Sequence, residues 1–239
     1  MLQHEMKAGV ATLTLNRPEK GNALSAAMVE ALIEGVSRTL DDAGAHTLVI
    51  NAAGKHFCTG FDLADLATSS DGDLLHRFVR VEQLLQLVWR APVRTVALVQ
   101  GRAWGAGADL FAACEVRLCA PDSTFRFPGT RFGLVLGTRR LTERVGGDTA
   151  RRWLTGGAEV NASEALDAGM ATQVLAADER AAAMAALGVP VLDRETGAAI
   201  RARTRHDEDD GDLAALVRSA MRPGLKVRIE AYVAGLRKS

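Results

Sequence analysis

Two short segments rich in small residues could place backbone N–H groups around a ligand. In the first, an apolar run from Val93 to Val99 is followed by Gly105-Ala106-Gly107-Ala108 and then by a helical pattern. The first N–H groups of a helix lack intrahelical partners and, with the helix dipole, suit an oxyanion or a phosphate. Small residues also allow a helix to pack closely on a strand. The spacing alone leaves both interpretations open.

The second segment has the same order of strand, glycine-bearing turn and helix. Leu48-Val49-Ile50 is an apolar run, and a turn that contains Gly60 follows it. Asp62 comes next, near the start of a short helical segment predicted at Leu63 to Leu66. Two turns of this kind could present donors to one ligand if the fold brings them together.

The elements that must position these turns alternate between strands and helices. Val10 to Leu15 alternates as a half-buried strand, and Ser25 is a plausible N-cap for the amphipathic helix that follows. A second, longer helix is predicted after a polar loop at Ala67 to Gly72 and before Pro92, from apolar residues spaced by three and four positions. Shorter helices are predicted at Asp109 to Ala113 and further along the chain. This alternation predicts an α/β architecture.

Composition limits the kinds of partner that the chain can have. Its 239 residues suffice for one domain with a sizeable core, and a formal net charge of +0 indicates neither nucleic acid nor an anionic membrane surface as a partner. Three scattered cysteines form neither a disulfide framework nor a metal-ligand spacing. Neither a signal peptide nor a membrane-spanning run is recognisable. These features predict a cytoplasmic protein without a metal site.

Several motifs, in this order along the chain, resemble the crotonase (enoyl-CoA hydratase/isomerase) superfamily between about Val10 and Val174. They are Arg17-Pro18-Glu19-Lys20-Gly21-Asn22-Ala23-Leu24, the two turns above, Leu154-Thr155-Gly156-Gly157 and Gly169-Met170-Ala171. The resemblance implies a ββα spiral core at residues 1–176 and a helical region at 177–239 that helps to build trimers and covers the pocket. It also implies an acyl-CoA substrate of fatty acid metabolism, a homotrimer or dimer of trimers, and no cofactor beyond the coenzyme A that the substrate carries.

The resemblance also assigns roles to the two turns. The backbone N–H groups of Phe61 and Ala106 would hold the thioester carbonyl oxygen, and losing one such donor typically costs about 2.7–4 kcal/mol of barrier. The substrate-binding positions implied by the family are Lys20 near the coenzyme A phosphates, Ala23 and Gly60 along the coenzyme A chain, Asp62 and Gly105.

The carboxylates depart from the family pattern. Enoyl-CoA hydratases use two glutamates, and the matching positions here hold Asp109 and Gly129. Asp109 is the best candidate for a base, although a carboxylate there could also only satisfy the helix N-terminus. Glu82 and His56 are weaker candidates for a catalytic part. The loop at Leu134 to Leu141 is about three residues shorter than the family's version.

Two functions from different classes remain open on this basis. One is a crotonase-type enzyme that hydrates an enoyl-CoA or moves its double bond, with Asp109 transferring the proton. The other is a binding protein that holds acyl-CoA with little or no hydratase activity, for which Gly129 is the main support. An RNA-binding relative is disfavoured by the neutral charge.

Overall fold

A computed structural model of the chain describes residues 1–186 and 191–236. Residues 187–190 and 237–239, which belong to the predicted helical region, lie outside the described part. The strands are Leu2–Lys7 (β1), Val10–Leu15 (β2), Thr47–Ala52 (β3), Arg94–Val99 (β4), Arg102–Trp104 (β5), Val116–Cys119 (β6), Thr124–Arg126 (β7), Val160–Asn161 (β8) and Gln173–Val174 (β9).

Helices alternate with these strands and then follow them. They are Ala26–Asp41 (α1), Asp71–Trp89 (α2), Ala106–Ala113 (α3), Thr138–Val145 (α4), Gly147–Gly156 (α5), Ala162–Asp167 (α6), Arg180–Ala186 (α7), Arg194–Thr204 (α8), Asp209–Ala220 (α9) and Leu225–Leu236 (α10). Two short 3-10 helices, Pro18–Lys20 and Pro128–Phe132, complete the regular structure of the described residues.

The strands form two sheets. The larger has the order β1-β2-β3-β4-β6-β9, and all its pairs after the antiparallel β1-β2 pair are parallel. The smaller has the order β5-β7-β8. Strand β3 is buried over its first four residues, as a central strand covered on both faces must be. This α/β architecture with a helical C-terminal region confirms the predicted fold class.

The C-terminal helices pack beside the long helix α2. Leu216 of α9 and Ile229 of α10 join Leu74 and Phe78 of α2 in one buried apolar cluster with Phe132. This cluster is separate from the main core between the sheet and α1. Within residues 1–186 and 191–236, no helix combines the length and apolar character needed to cross a membrane.

Three local predictions were wrong, two in their boundaries and one in the type of structure. Helix α2 begins at Asp71, inside the predicted loop, because Ser70 and Asp73 form a reciprocal capping box. The segment predicted as a short helix after Asp62 is a turn instead. Helix α3 begins at Ala106, three residues before Asp109, so its first turn consists of the small residues themselves.

Candidate active site

The two glycine-bearing turns meet in the folded chain. Cys58 pairs with the middle of β5, since its N–H donates to Arg102 O (3.1 Å) and its carbonyl accepts from Trp104 N (2.9 Å). Gly60 has φ +98°, and a Cβ there would lie 2.8 Å from Trp104 O and 3.6 Å from Gly105 Cα. Glycine is therefore required at this position by both its backbone conformation and its close neighbours.

The backbone amides of Phe61 and Ala106 are available to a ligand. Phe61 is held on its other side by Leu24, whose N–H donates to Gly60 O (2.8 Å) and whose carbonyl accepts from Asp62 N (3.1 Å). Ala106 is the first residue of α3, where an amide lacks an intrahelical acceptor. Neither amide finds a hydrogen-bond acceptor among the described residues. Both residues line the same cavity.

This cavity has a volume of about 290 Å³ and a mostly apolar wall. Phe61 stacks on Phe78 with ring centroids 4.1 Å apart, and Phe78 lies 6.5 Å from Phe132. Tyr232 of α10 continues this aromatic wall, 5.4 Å from Phe132. The two turns thus line a cavity whose aromatic end suits an apolar acyl group.

Asp109 is the only carboxylic acid among the described residues that line the cavity. Its side chain is 5% exposed, and it takes part in no side-chain hydrogen bond within the described part of the chain. A Cβ at Gly137, the N-cap residue of α4 with φ +65°, would overlap the Asp109 carboxyl group. Burial raises the pKa of Asp109 well above its ordinary value, the charge of Glu82 raises it further, and Arg140 opposes both.

Gly129 also lies on the cavity wall and leaves room for a side chain. Its φ lies outside the left-handed region, and a Cβ there would meet only Leu134 Cβ, at an ordinary 3.8 Å. Steric crowding and backbone conformation therefore do not explain why this position holds glycine.

Glu82 is bonded to neighbouring side chains and does not line the cavity. Its carboxylate accepts from Arg140 Nη2 at 2.6 Å and Arg140 Nη1 at 3.2 Å, and also from Gln86 Nε2 at 3.1 Å. Glu82 and Arg140 are 1% and 0% exposed, and Asp212 of α9 lies 3.3 Å from the same guanidinium. This buried ion pair joins α2, α4 and α9 behind Asp109.

Three other predicted site residues, Asp62, Lys20 and Ala23, lie off the cavity wall. Asp62 accepts from Arg17 Nη1 at 2.6 Å and from Ala64 N at 2.9 Å. Burial opposes these bonds, but together they lower the pKa of Asp62 below its ordinary value. Lys20 is exposed and Ala23 is half-buried, and neither residue lines the cavity. Gly60 and Gly105 do line it.

The predicted set of site residues omits side chains at one edge of the cavity. Arg102, Trp104 and Arg126 line it from the small sheet, and Tyr232 and Leu236 line it from α10. The alternation of β5 is the sequence signal for the first two, because residues two apart in a strand share a face. His56, a weaker candidate, accepts from Arg102 N at 3.2 Å and has a local structural role.

Comparison with known proteins identifies the family. The sequence profile described as "Enoyl-CoA hydratase/isomerase" matches residues 5–200. The echA6 protein of Mycobacterium leprae, provisionally named an enoyl-CoA hydratase, is 33% identical over 86% of this chain and 81% of its own length. Ethylmalonyl-CoA decarboxylase of Mus musculus is 36% identical over 74% of this chain, which spans 56% of the mouse protein.

A solved structure is similar over nearly the whole chain. This Bordetella parapertussis protein, provisionally described as an enoyl-CoA hydratase/isomerase, has a TM-score of 0.93 and 47% identity over 98% of both chains. These matches indicate the same family as the sequence motifs do. The chain belongs to the enoyl-CoA hydratase/isomerase family, the crotonase superfamily.

Proposed function

We propose that the chain is an acyl-CoA enzyme that moves a double bond next to a thioester with a single acid–base group. Asp109 removes a proton from C2 of a 3-enoyl thioester, and the Phe61 and Ala106 amides hold the enolate-like oxygen. The same carboxyl returns the proton to C4, which leaves the double bond between C2 and C3. The observation that carries the proposal is that Asp109 is the single acid on the cavity wall among residues 1–186 and 191–236, with glycine at position 129.

The environment of Asp109 suits this task. A carboxyl group whose pKa is raised by burial is a stronger base toward a weakly acidic carbon, although a smaller fraction of it is ionised at neutral pH. Hydration adds both a hydroxide and a proton, for which the hydratases of the family use two carboxyl groups. We therefore expect hydration to be slow.

The test uses a 3-enoyl-CoA and crotonyl-CoA as alternative substrates. Isomerisation creates the conjugated thioester absorbance and hydration removes it, so one spectrophotometric assay measures both reactions. We expect the first reaction in the wild type and its loss in Asp109→Ala. Tight acyl-CoA binding with no turnover on a panel of thioesters would support the binding-protein function instead.

A second reaction, decarboxylation of a 2-carboxyacyl-CoA, is favoured by two observations. The mouse relative is an ethylmalonyl-CoA decarboxylase, and burial favours the protonated form of Asp109. The bond from C2 to its carboxylate breaks, carbon dioxide leaves, and the electron pair passes to the thioester oxygen held by the two amides. Asp109 then donates its proton to C2 and regains one from water.

The pH dependence distinguishes the two reactions. As a base in isomerisation, Asp109 must be ionised, so kcat/KM rises with pH through its pKa. As an acid in decarboxylation, it must be protonated, so kcat/KM falls with pH. Profiles measured with a 3-enoyl-CoA and with a 2-carboxyacyl-CoA therefore have opposite slopes.

The proposal also covers features that rest on family resemblance. We expect a homotrimer or dimer of trimers, with the helical region at 177–239 at its interfaces and over the pocket, and a cytoplasmic enzyme that needs no cofactor besides substrate-borne coenzyme A. The position of Tyr232 on the cavity wall supports the covering role of α10. Light scattering of the purified protein tests the assembly.

A further inference from the structure

The two turns whose amides serve the proposed function are held in place by different means. Ala106 begins α3, so the helix itself fixes the position of its amide. Phe61 lies in an isolated bridge with Leu24, and the residues that follow it, 62–70, form neither a helix nor a strand. The position of the Phe61 amide therefore depends on contacts from outside its own segment.

Arg77 of α2 contacts the Phe61 turn in two ways. Its Nη2 donates to Asp62 O at 2.7 Å, and its Cζ lies 4.1 Å from the centroid of the Phe61 ring. The next residue of the helix, Phe78, stacks on the same ring with centroids 4.1 Å apart. A hydrogen bond from a charged donor and a cation–π contact thus join the backbone and the side chain of the turn to α2.

The other donors of Arg77 are buried without an acceptor. Its Nε and Nη1 find no hydrogen-bond partner within residues 1–186 and 191–236. The nearby carboxylate of Asp62 accepts from Arg17 Nη1 instead, at 2.6 Å. Buried donors without partners cost stability. The position of Arg77 is therefore better explained by its contact with the turn than by a net stabilisation of the fold.

Arg77 lies behind the turn and not on the cavity wall. Phe61 and Phe78 line the cavity, whereas Arg77 does not. Any contact between Arg77 and a bound thioester therefore passes through Phe61 and Asp62. Such indirect contacts matter for catalysis, because a displacement of about 1 Å in a site can cost on the order of 100-fold in rate.

We propose that Arg77 is a positioning residue that keeps the Phe61 N–H directed at the thioester oxygen. The proposal rests on the proposed oxyanion role of Phe61. The peptide unit that carries this N–H is held on one side by Leu24, whose N–H donates to Gly60 O at 2.8 Å. Arg77 holds the next peptide unit through Asp62 O. The amide cannot rotate without breaking one of these two hydrogen bonds.

The infrared spectrum of a bound thioester tests the proposal without requiring turnover. The probe is butyryl-CoA with an isotope label at its thioester carbonyl. Binding to the wild type should lower the carbonyl stretching frequency, because the two amides polarise the bond. Arg77→Met keeps the length of the side chain but removes its charge and donors, so it should give a smaller downshift.

The kinetic effect of Arg77→Met should appear in kcat rather than in KM. We expect kcat on a 3-enoyl-CoA to fall by about tenfold with KM nearly unchanged, because the oxyanion contact is strongest in the transition state. This is less than the roughly 10²- to 10³-fold cost of losing an oxyanion donor, since the misplaced amide is still present. Arg77→Lys, which keeps a cation and one donor, should fall between wild type and Arg77→Met, and it serves if Arg77→Met does not fold.

Arg80→Met is the matched control. Arg80 lies three residues further along α2 and pairs with Glu30 of α1 at 2.6 Å, so it joins two helices and not the turn. Its loss should leave the carbonyl frequency and kcat unchanged.

Two results would overturn the proposal, and they are distinguishable. If Arg77→Met lowers the free energy of unfolding but keeps the wild-type carbonyl frequency and kcat, Arg77 has only a structural role. If the wild type itself gives no downshift, the oxyanion role of Phe61 in the proposed function fails, and this inference fails with it.

Discussion

Two buried carboxyl groups lie close together in this protein and have opposite environments. Glu82 is 1% exposed, and its carboxylate accepts two hydrogen bonds from Arg140 and one from Gln86. Asp109 is 5% exposed, and within the described residues it has no hydrogen-bonding partner for its carboxyl group. One carboxylate is enclosed by partners from its own chain, and the other faces a cavity.

The difference indicates which carboxyl group serves chemistry. A buried acid with a full set of partners holds elements together, and its proton cannot easily be exchanged with a ligand. A buried acid without partners destabilises the fold when it ionises, so its presence on a cavity wall is better explained by function than by stability. Four predictions test this contrast, from the largest expected effect to the smallest.

The first prediction concerns the unpaired acid. Asp109→Asn should lower kcat on the preferred thioester by roughly 10²- to 10⁴-fold, because the proton-transfer group is lost while the shape is kept. The same change should raise the free energy of unfolding at neutral pH, because the amide cannot ionise. Turnover assays and urea unfolding measure the two effects. Asp148→Asn, at an exposed site, should change neither quantity, and retained activity in Asp109→Asn would refute the assignment.

The second prediction concerns the paired acid. Glu82→Gln should lower the free energy of unfolding by about 3–5 kcal/mol, because Arg140 keeps a buried charge that has lost its principal partner. Replacing the pair together, as Glu82→Leu with Arg140→Met, should recover most of this loss. Urea unfolding of the three proteins measures the effect. A loss below about 1 kcal/mol in the single variant would show that the pair is not what holds α2 to α4.

The third prediction adds an acid to the cavity wall at position 129. Gly129→Glu should raise the hydration of crotonyl-CoA on the order of 10²-fold, since a positioned general acid typically contributes at least that much. The site accepts the side chain without backbone strain or overlap at Cβ. Gly129→Gln is the control for shape, and equal rates for the two variants would show that the added acid does not act as a catalyst.

The fourth prediction is a pH dependence of stability. Because the folded-state pKa of Asp109 is raised, the unfolded chain loses this proton first, near the ordinary value of 3.8. The contribution of Asp109 to the free energy of unfolding therefore falls as pH rises above that value. Asp62, whose pKa is lowered, contributes in the opposite sense and loses stability as pH falls.

The difference in the free energy of unfolding between wild type and Asp109→Asn isolates the contribution of Asp109. The variant should gain more stability relative to wild type at about pH 7 than at about pH 5, because the cost of keeping the folded carboxyl group protonated grows with pH until the raised folded-state pKa is reached. Urea unfolding at both pH values measures the two differences. An equal gain at the two pH values would indicate that Asp109 titrates normally in the fold.

Much of the fold could be predicted from the sequence because local patterns specify local structure. The strand predicted at Val10 to Leu15 is observed as β2 with the same boundaries. Ser25 caps α1 through a hydrogen bond from Met28 N (3.2 Å). Apolar periodicity and capping chemistry act over a few residues, so they can be recognised without knowledge of the tertiary structure.

The environment of the site could not be predicted in the same way. Glu82 and Arg140 lie 58 positions apart in the sequence, and no local pattern indicates that they pair. Arg102 and Arg126 come together only through the parallel pairing of β5 with β7. Charged residues on separate elements carry no periodic signal, so long-range pairing decides which of them meet.

The sequence by itself determined the family, the order of strands and helices, and the backbone turns whose glycines allow close approach. The tertiary structure decided which carboxyl group pairs with an arginine and which lines the cavity. The physical reason is that the ionisation and reactivity of a carboxyl group depend on burial and on neighbouring charges in space. These neighbours come from α2, α4 and α9, which are distant in the chain and adjacent only in the fold.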